Sequence, residues 1–173
     1  FLDRDGTLIE EVNYLGDPNG VRLFPWSIQA VRALNRAGLP VVLITNQSGV
    51  ARGFFKEQAV HDVHTRIRDL LAAGGARLDG YYYCPHHPDG TIADYAKACD
   101  CRKPGGGLVR RASADLGLDP GRSYCIGDSW VDVGLARGVG ARALLVKTGH
   151  GSRMLAKKPS DVEPDAVVEN MIE

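Results

Sequence analysis

Short apolar runs alternate along this chain with longer amphipathic segments, and this alternation restricts the fold more than any other feature of the sequence. The runs have the length and composition of buried strands and end at polar residues, as residues 40–44 do before Thr45. The segments between them repeat apolar residues at helical spacing, as Val63, Ile67 and Leu71 do within residues 55–73. This alternation predicts an α/β fold with a parallel sheet covered by helices on both faces.

The predicted elements follow one another over residues 1–173 without an internal repeat or linker, so we expect one Rossmann-like domain. The first strand would fall at Phe1 and Leu2, which are too short for a central strand, and the chain does not begin with Met. Both features predict further residues upstream. The later predicted strands are residues 40–44, 81–83, 123–126, 143–146 and 166–168. The predicted helices are residues 28–37, 55–73, 108–116 and 131–137.

The first eight residues carry two carboxylates, Asp3 and Asp5, separated by one residue and preceded by a short apolar run. Alternate side chains share a face on extended backbone, so both aspartates are expected to face one point while Arg4 points away. Two anions there would repel each other unless a cation joined them. The pattern is typical of Mg²⁺-assisted phosphoryl transfer, in which one carboxylate attacks phosphorus and the other handles a proton. Spaced acids also occur in solvated turns, and this segment alone does not separate the two.

Other polar groups follow the later predicted strands. The stretch Thr45-Asn46-Gln47-Ser48 offers a hydroxyl and amides that could bind an anion, although an isolated stretch of this kind is also typical of a polar turn. Arg102 and Lys103 precede a glycine-rich helix start, where backbone N–H groups also favour anions. Asp128 follows the predicted strand at 123–126, at the sheet edge where α/β proteins bind ligands.

The order of these motifs resembles that of the haloacid dehalogenase superfamily of phosphatases: Asp3-x-Asp5-Gly-Thr, Thr45 after a strand, Lys103, then Gly127-Asp128. The resemblance spans essentially the whole chain. Residues 45–53, 83–88 and 99–104 are similar to the D-glycero-D-manno-heptose 1,7-bisphosphate phosphatases in particular. Histidinol-phosphate phosphatases share much of this pattern.

The resemblance implies a Mg²⁺-dependent hydrolase that removes the C7 phosphate of D-glycero-D-manno-heptose 1,7-bisphosphate through an aspartyl-phosphate intermediate. This reaction belongs to carbohydrate metabolism, in heptose biosynthesis. One alternative is a phosphatase acting on histidinol phosphate or another small phosphomonoester. A second alternative is a non-catalytic, zinc-containing interaction module. The intact set of Asp3, Asp5, Thr45, Lys103 and Asp128 argues against that second alternative.

The resemblance also implies roles for individual residues. Asp3 would be the nucleophile and Asp5 the general acid and base, with Mg²⁺ bound by the Asp3 and Asp128 carboxylates and by the backbone carbonyl of Asp5. Thr45 and Lys103 would bind the transferred phosphoryl group. The expected substrate contacts are Glu11, Val12, Asn13, Tyr14, Thr45, Asn46, Gln47, Ser48, Arg52, Arg102 and Lys103. Arg52 and Arg102 could instead be solvated surface charges, and we expect Asp132 to be a helix-start acid and not a metal ligand.

Two features bear on the substrate cleft. Residues 10–25 are too short for a cap domain, and the cysteine-rich loop occupies the other point at which relatives insert one, so we expect a capless, open cleft. Some heptose bisphosphatases carry a lysine after the Gly-Asp pair, where this chain has Ser129. That difference leaves the anomer and the identity of the sugar open.

Three of the four cysteines cluster with a histidine, as Cys84-x-His86 and Cys99-x-Cys101. Three thiolates and one imidazole are typical of a tetrahedral structural zinc site, and the resemblance supports a zinc loop over residues 84–101. A chain with a large apolar core does not need disulfides, although two disulfides, plain buried thiols, or His87 as the ligand remain alternatives. Cys125 is expected to be a buried free thiol in a strand.

Charge and hydropathy limit the partners. Lys plus Arg and Asp plus Glu both total 21, and no segment concentrates the positive charge that nucleic-acid binding usually requires. No stretch approaches the roughly 20 apolar residues of a membrane span, and none has the pattern of a signal peptide. We therefore expect a cytoplasmic monomer whose partner is a small phosphorylated sugar.

Overall fold

A computed structural model describes residues 1–157, 159 and 162–173. The five strands are β1 Val42–Asn46, β2 Gly80–Cys84, β3 Tyr124–Gly127, β4 Arg142–Val146 and β5 Ala166–Val168. The five helices are α1 Ser27–Arg36, α2 Glu57–Ala73, α3 Gly107–Leu116, α4 Trp130–Val139 and α5 Gly151–Leu155. Each predicted strand from residue 40 onward and each predicted helix is present, with ends within two residues of the prediction. Helix α5 was not predicted.

Among the described residues, the five strands pair in parallel, which confirms the predicted parallel sheet. One ladder joins β1 to β2, and another runs from β3 through β4 to β5. Leu2 connects the two ladders because it bridges both Leu43 and Ile126 in parallel. Its amide donates to Val42 O at 2.8 Å, and the amide of Asp3 donates to Ile126 O at 2.9 Å. Residues 1–3 thus lie between β1 and β3 in the position of a central strand.

Helices cover both faces of this sheet, as the alternation in β1 requires. Leu43 packs in a core cluster with Val63 and Ile67 of α2. Its neighbour Ile44 packs in the opposite cluster, with Val109 of α3. Consecutive strand residues therefore face different helices, which is the pattern of a parallel sheet buried on both sides.

Residues 10–25 run beside the carboxyl edge of the sheet without forming a regular helix or strand. They contain a short 3₁₀ turn, Pro18–Gly20, whose start is capped by the Asp17 carboxylate. A single antiparallel bridge joins Ile9 to Leu23. Across the described residues, no helix combines the length and the apolar character needed to cross a lipid bilayer.

Candidate active site

Three acidic side chains meet where residues 1–3 and β3 end. Asp3 follows the bridged residue Leu2, Asp128 follows β3, and Asp132 lies in the first turn of α4. Carboxylate oxygens of these residues lie within 4.8 Å of one another. Parallel strands bring their carboxyl ends to one edge, so residues distant in sequence converge there.

Lys103 is the cation within this acidic group. Its Nζ lies 2.7 Å from Asp3 Oδ1 and 2.6 Å from Asp132 Oδ1, and its side chain is 2% exposed. Burial alone would lower the pKa of Lys103, but Asp132 and Asp3 raise it above its usual range. The ammonium is therefore a fixed positive charge that can hold anionic oxygens beside Asp3.

The three carboxylates together carry more negative charge than the Lys103 ammonium neutralises. Burial raises the pKa of Asp3 to about 8; Lys103 opposes this shift, while Asp132 and Asp128 add to it. Burial also raises the pKa of Asp128 to about 6, although the His150 amide donates a hydrogen bond to its Oδ2 at 2.7 Å. Clustered, buried hard-oxygen donors of this kind fit the coordination chemistry of Mg²⁺.

Two glycines allow the backbone to approach Asp128. A Cβ at Gly6 would lie 2.1 Å from Asp128 Oδ2, and one at Gly149 would lie 2.2 Å from it. Both glycines also have positive φ, at 76° and 54°. A side chain at either position would collide with the carboxylate, so this close packing around Asp128 requires glycine at both positions.

Asp5 is bound by two neighbouring side chains. Arg4 donates to it through Nε at 3.0 Å and through Nη2 at 3.1 Å, and Gln47 Nε2 donates to Asp5 Oδ2 at 3.0 Å. The expectation that Arg4 points away was wrong, because the chain turns at Arg4 and does not stay extended. The side chain of Arg4 is 1% exposed. Sequence reasoning missed this contact, although a cation two residues after a core leucine signals a buried group that needs an acidic partner.

Several of the expected substrate residues bind other protein groups. The Asn46 side chain forms two hydrogen bonds with the backbone of Lys103. Its Oδ1 accepts from the Lys103 amide at 2.9 Å, and its Nδ2 donates to the Lys103 carbonyl at 3.2 Å. Gln47 also donates to Thr45 Oγ1 at 2.8 Å. These contacts order the loop after β1 around Thr45 and Lys103.

A cavity of about 200 Å³ opens beside Asp5. Glu11, Asn13, Tyr14 and Ser48 are among its lining residues, while Val12 lies outside the lining and is 44% exposed. Asn13 and Tyr14 both have positive φ, at 47° and 55°, a conformation that residues other than glycine rarely adopt. The expected contacts at 11, 13, 14 and 48 thus share one cavity with Asp5.

Arg52 and Arg102 lie beside His86 and His87, in the segment that carries the cysteine and histidine cluster. Arg52 Nη2 is 3.3 Å from His87 Nε2, and Arg102 Nη1 donates to the carbonyl of His86 at 3.3 Å. Burial lowers the pKa of His87, and the charges of Arg102 and Arg52 lower it further, so both guanidinium groups lie near this ring. Neither arginine forms an ion pair with a described carboxylate, which leaves their charges available to an anion.

Cys84, His86, Cys99 and Cys101 form a compact cluster. Their Sγ atoms are 3.1–3.4 Å apart, and His86 Nδ1 lies 3.3 Å from Cys101 Sγ. All four cysteines of the chain are free thiols, so the disulfide alternative is wrong, and His86 rather than His87 joins the cluster. Three sulfurs and one imidazole nitrogen gathered in one cluster are the donor set of a tetrahedral Zn²⁺ site. Cys125 is a buried free thiol, as predicted.

Known proteins resemble this chain over most of its length. A family model described as HAD-hydrolase-like matches residues 100–173. The D-glycero-D-manno-heptose-1,7-bisphosphate 7-phosphatase of Thermosynechococcus vestitus is 43% identical over 176 residues, covering 99% of this chain and 90% of the relative. The D-glycero-beta-D-manno-heptose-1,7-bisphosphate 7-phosphatase of Escherichia coli is 39% identical, covering 93% and 85%.

A solved structure is similar over nearly the full chain. It is the D,D-heptose 1,7-bisphosphate phosphatase from B. bronchiseptica, in complex with magnesium and phosphate. The TM-score is 0.87 at 34% identity, with 98% of this chain and 91% of that chain covered.

Proposed function

The chain belongs to the haloacid dehalogenase-like family of D-glycero-D-manno-heptose-1,7-bisphosphate 7-phosphatases, and we propose that it hydrolyses the C7 phosphate ester of such a sugar bisphosphate. The observation that carries this proposal is the buried Lys103 ammonium, 2.7 Å from Asp3, at a sheet edge shared with Thr45 and Asp128. A nucleophile beside a fixed cation is what attack on an anionic phosphate ester requires.

The reaction would proceed in two displacements on phosphorus. Asp3 attacks through a carboxylate oxygen, and the bond from phosphorus to the sugar oxygen breaks while Asp5 supplies a proton to that oxygen. Water then attacks the aspartyl phosphate, Asp5 takes a proton from it, and the Asp3–phosphorus bond breaks. Inorganic phosphate leaves, and Asp3 and Asp5 return to their starting protonation states.

Lys103 and Thr45 would hold the phosphoryl oxygens during both displacements. Lys103 is already fixed by Asp132, and the Thr45 hydroxyl accepts a hydrogen bond from Gln47, which leaves its own proton for a phosphoryl oxygen. The carboxylates of Asp3 and Asp128 and the carbonyl of Asp5 would bind Mg²⁺. When bound, Mg²⁺ would neutralise charge on the phosphoryl group and the acids.

The phosphate that is not transferred would bind Arg52 and Arg102. Their lack of described acidic partners supports this role, because a bound phosphate would neutralise both charges. Zn²⁺ in the Cys84, His86, Cys99 and Cys101 cluster would be structural. Cys101 directly precedes Arg102 and Lys103, so the zinc loop would set the position of both cations.

A substrate panel tests the proposal. Phosphate release is measured from heptose 1,7-bisphosphate, histidinol phosphate and fructose bisphosphate, each with and without Mg²⁺, and ³¹P NMR identifies the phosphate that remains on the sugar. We expect Mg²⁺-dependent turnover with the highest kcat/KM for heptose bisphosphate and retention of the C1 phosphate. A higher kcat/KM for histidinol phosphate would transfer the assignment to that substrate, and no release from any ester would support the non-catalytic module.

We further propose that the enzyme works as a capless, single-domain monomer. The short connection over residues 10–25 and the open cavity beside Asp5 support a cleft without a cap. Size-exclusion chromatography with light scattering, read with and without substrate, tests the monomer. A dimeric mass under both conditions would contradict it.

A further inference from the structure

The side chain of Arg4 contacts that of its immediate neighbour, Asp5. Adjacent side chains point in opposite directions on extended backbone, so this contact exists only because the chain turns there. The guanidinium donates two hydrogen bonds, from Nε to Asp5 Oδ2 and from Nη2 to Asp5 Oδ1. We propose that Arg4, together with Gln47, is a positioning residue that fixes the Asp5 carboxylate for proton transfer. This inference rests on the proposed function, in which Asp5 is the general acid and base.

Burial argues that the contact does not serve stability. Arg4 is 1% exposed, and its Nη1 has no hydrogen-bond partner among the described residues. Removing a guanidinium from water is costly, and a buried ion pair recovers that cost only when its remaining hydrogen bonds are satisfied. An unbranched apolar side chain would fill the same space without the cost. Orientation of Asp5 therefore explains Arg4 better than stability does.

Gln47, which directly follows β1, contacts both Arg4 and Asp5. Its Oε1 accepts from Arg4 Nη2 at 2.8 Å, and its Nε2 donates to both Asp5 Oδ2 and Thr45 Oγ1. Arg4, Asp5 and Gln47 thus form a closed ring of hydrogen bonds, and Gln47 connects this ring to Thr45. Gln47 is 3% exposed, so the ring is shielded from solvent on that side. A ring closed by fork-shaped donors leaves the carboxylate little rotational freedom.

The hydrogen bonds also distinguish the two oxygens of Asp5. Oδ2 accepts from Arg4 Nε and Gln47 Nε2, which uses both of its lone pairs, whereas Oδ1 accepts only from Arg4 Nη2 among the described donors. Asp5 also lines the cavity and is 20% exposed. Oδ1 is therefore the oxygen with a lone pair free for the transferred proton. It gives this proton to the departing sugar oxygen as the bond to phosphorus breaks, and regains one from the attacking water.

Two esters separate a positioning role from a structural one. The alkoxide that leaves from heptose bisphosphate needs a proton, whereas the leaving group of p-nitrophenyl phosphate does not. The value of kcat/KM reports the steps up to formation of the aspartyl phosphate. Arg4→Met should lower kcat/KM for heptose bisphosphate about 100-fold and for p-nitrophenyl phosphate about threefold or less. Arg4→Lys, which keeps one N–H contact, should fall between wild type and Arg4→Met on the first ester.

A double-mutant cycle tests whether Arg4 acts through Asp5. In an Asp5→Asn background, Arg4→Met should lower kcat/KM for heptose bisphosphate by about twofold or less, because the group it positions is already gone. A full 100-fold loss in that background would overturn the inference, and so would equal losses on the two esters in the wild-type background.

Failure of the inference is distinguishable from failure of the proposed function. If wild type releases no phosphate, or if Asp3→Asn retains activity, the proposed function fails and the inference fails with it. If both behave as proposed but Arg4→Met does not discriminate between the esters, only the inference fails. Should thermal melts show that Arg4→Met does not fold, Arg4→Lys, which keeps a cation but loses the two-pronged contact with Asp5, is judged by the same ester comparison.

Discussion

The Lys103 ammonium and the Asp132 carboxylate form an ion pair in which both side chains are almost fully buried. The Nζ–Oδ1 distance is 2.6 Å, and the side chains are 2% and 4% exposed. Ser129 Oγ donates to the other oxygen of Asp132 at 2.7 Å, so both carboxylate oxygens have partners. Asp132 thereby fixes Lys103 at the point where it also reaches Asp3.

Asp132→Ala should lower both the stability of the protein and its kcat/KM. Lys103 would keep its contact with Asp3 but lose its contact with Asp132, and losing one charge-assisted hydrogen bond typically costs about 1.5–3 kcal/mol in the free energy of unfolding. Lys103 would also lose its anchor, so kcat/KM for the bisphosphate should fall by about 100-fold. Urea unfolding and steady-state kinetics measure the two effects.

Asp115→Ala is the matched control for this change. Asp115 lies 3.9 Å from Arg111 on α3, accepts a hydrogen bond from the Tyr82 hydroxyl at 3.0 Å and is 51% exposed, so its removal should change the free energy of unfolding by about 1 kcal/mol or less. Equal destabilisation by the two substitutions would contradict the importance of burial at Asp132.

Asp3→Asn and Asp5→Asn should each lower kcat by roughly 1,000-fold or more with the fold intact. The two residues act in succession on one intermediate, so the double variant should cost little beyond either single one. A trapping experiment with labelled phosphate ester should mark Asp3 alone. Turnover within about tenfold of wild type for Asp3→Asn would rule out the aspartyl-phosphate pathway.

The fold followed from the sequence because each strand carries its own signal. The β-branched run before Thr45 and the run before Gly127 end where the alternation predicts, so the convergence of Thr45 and Asp128 at one edge is a consequence of parallel topology. Leu2 is different. It forms a central bridge through a few backbone hydrogen bonds, and the two apolar residues Phe1 and Leu2 are too short a run to reveal that central position.

The side-chain contacts within the site were less predictable. Asp132 lies in the first turn of α4, four residues after Asp128, and this position is consistent with the helix-start acid that was expected. Its partner Lys103 comes from a different segment, and sequence spacing does not reveal that pairing. Arg4 was misjudged because alternation assumes extended backbone, and the turn at Arg4 brings its side chain onto Asp5.

Loss of zinc should unfold the protein. A structural zinc site contributes on the order of 10 kcal/mol, comparable with the roughly 5–15 kcal/mol that stabilises a whole domain. Cys99→Ser or Cys101→Ser should therefore give aggregating or disordered protein, whereas Cys125→Ala, which removes a thiol outside the cluster, should fold and keep zinc. Elemental analysis of fresh wild-type protein should give about one zinc per chain. Less than half of that amount would count heavily against the site.

His64 should make the protein less stable in acid. Burial, with smaller contributions from Arg4 and His61, lowers the pKa of His64 to about 3 from its ordinary value near 6.5. The unfolded chain therefore binds a proton between those values that the folded chain does not, and the free energy of unfolding falls as pH falls through that window. From pH 7 to pH 5 this one group should remove roughly 2 kcal/mol.

Substitution of His64 isolates its effect on stability. His64→Phe and His64→Gln, measured by urea unfolding with saturating Mg²⁺, should both lose about 2 kcal/mol less than wild type over that pH range. Neither phenylalanine nor glutamine titrates in this pH range, whereas glutamine keeps a polar side chain. A change shared by both variants is therefore due to the lost titration of His64 and not to its lost polarity. A wild-type pH dependence in either variant would show that His64 is protonated in the folded protein.

Arg102 should decide the preference for a bisphosphate over its monophosphate. Arg102 and Arg52 lie beside His87 without a described acidic partner, and each charge-assisted contact to the second phosphate is worth roughly 1.5–3 kcal/mol. Wild type should therefore favour heptose bisphosphate over heptose 7-phosphate by about one to two orders of magnitude in kcat/KM. Arg102→Ala should remove most of that preference and leave hydrolysis of p-nitrophenyl phosphate nearly unchanged, because Asp3, Thr45 and Lys103 still bind the reacting group.

Arg68→Ala is the control, because it removes a guanidinium that is 59% exposed on α2, and it should keep the wild-type preference. Equal kcat/KM of the wild type for the two sugars would contradict a second phosphate site, and the assignment would then move to histidinol phosphate.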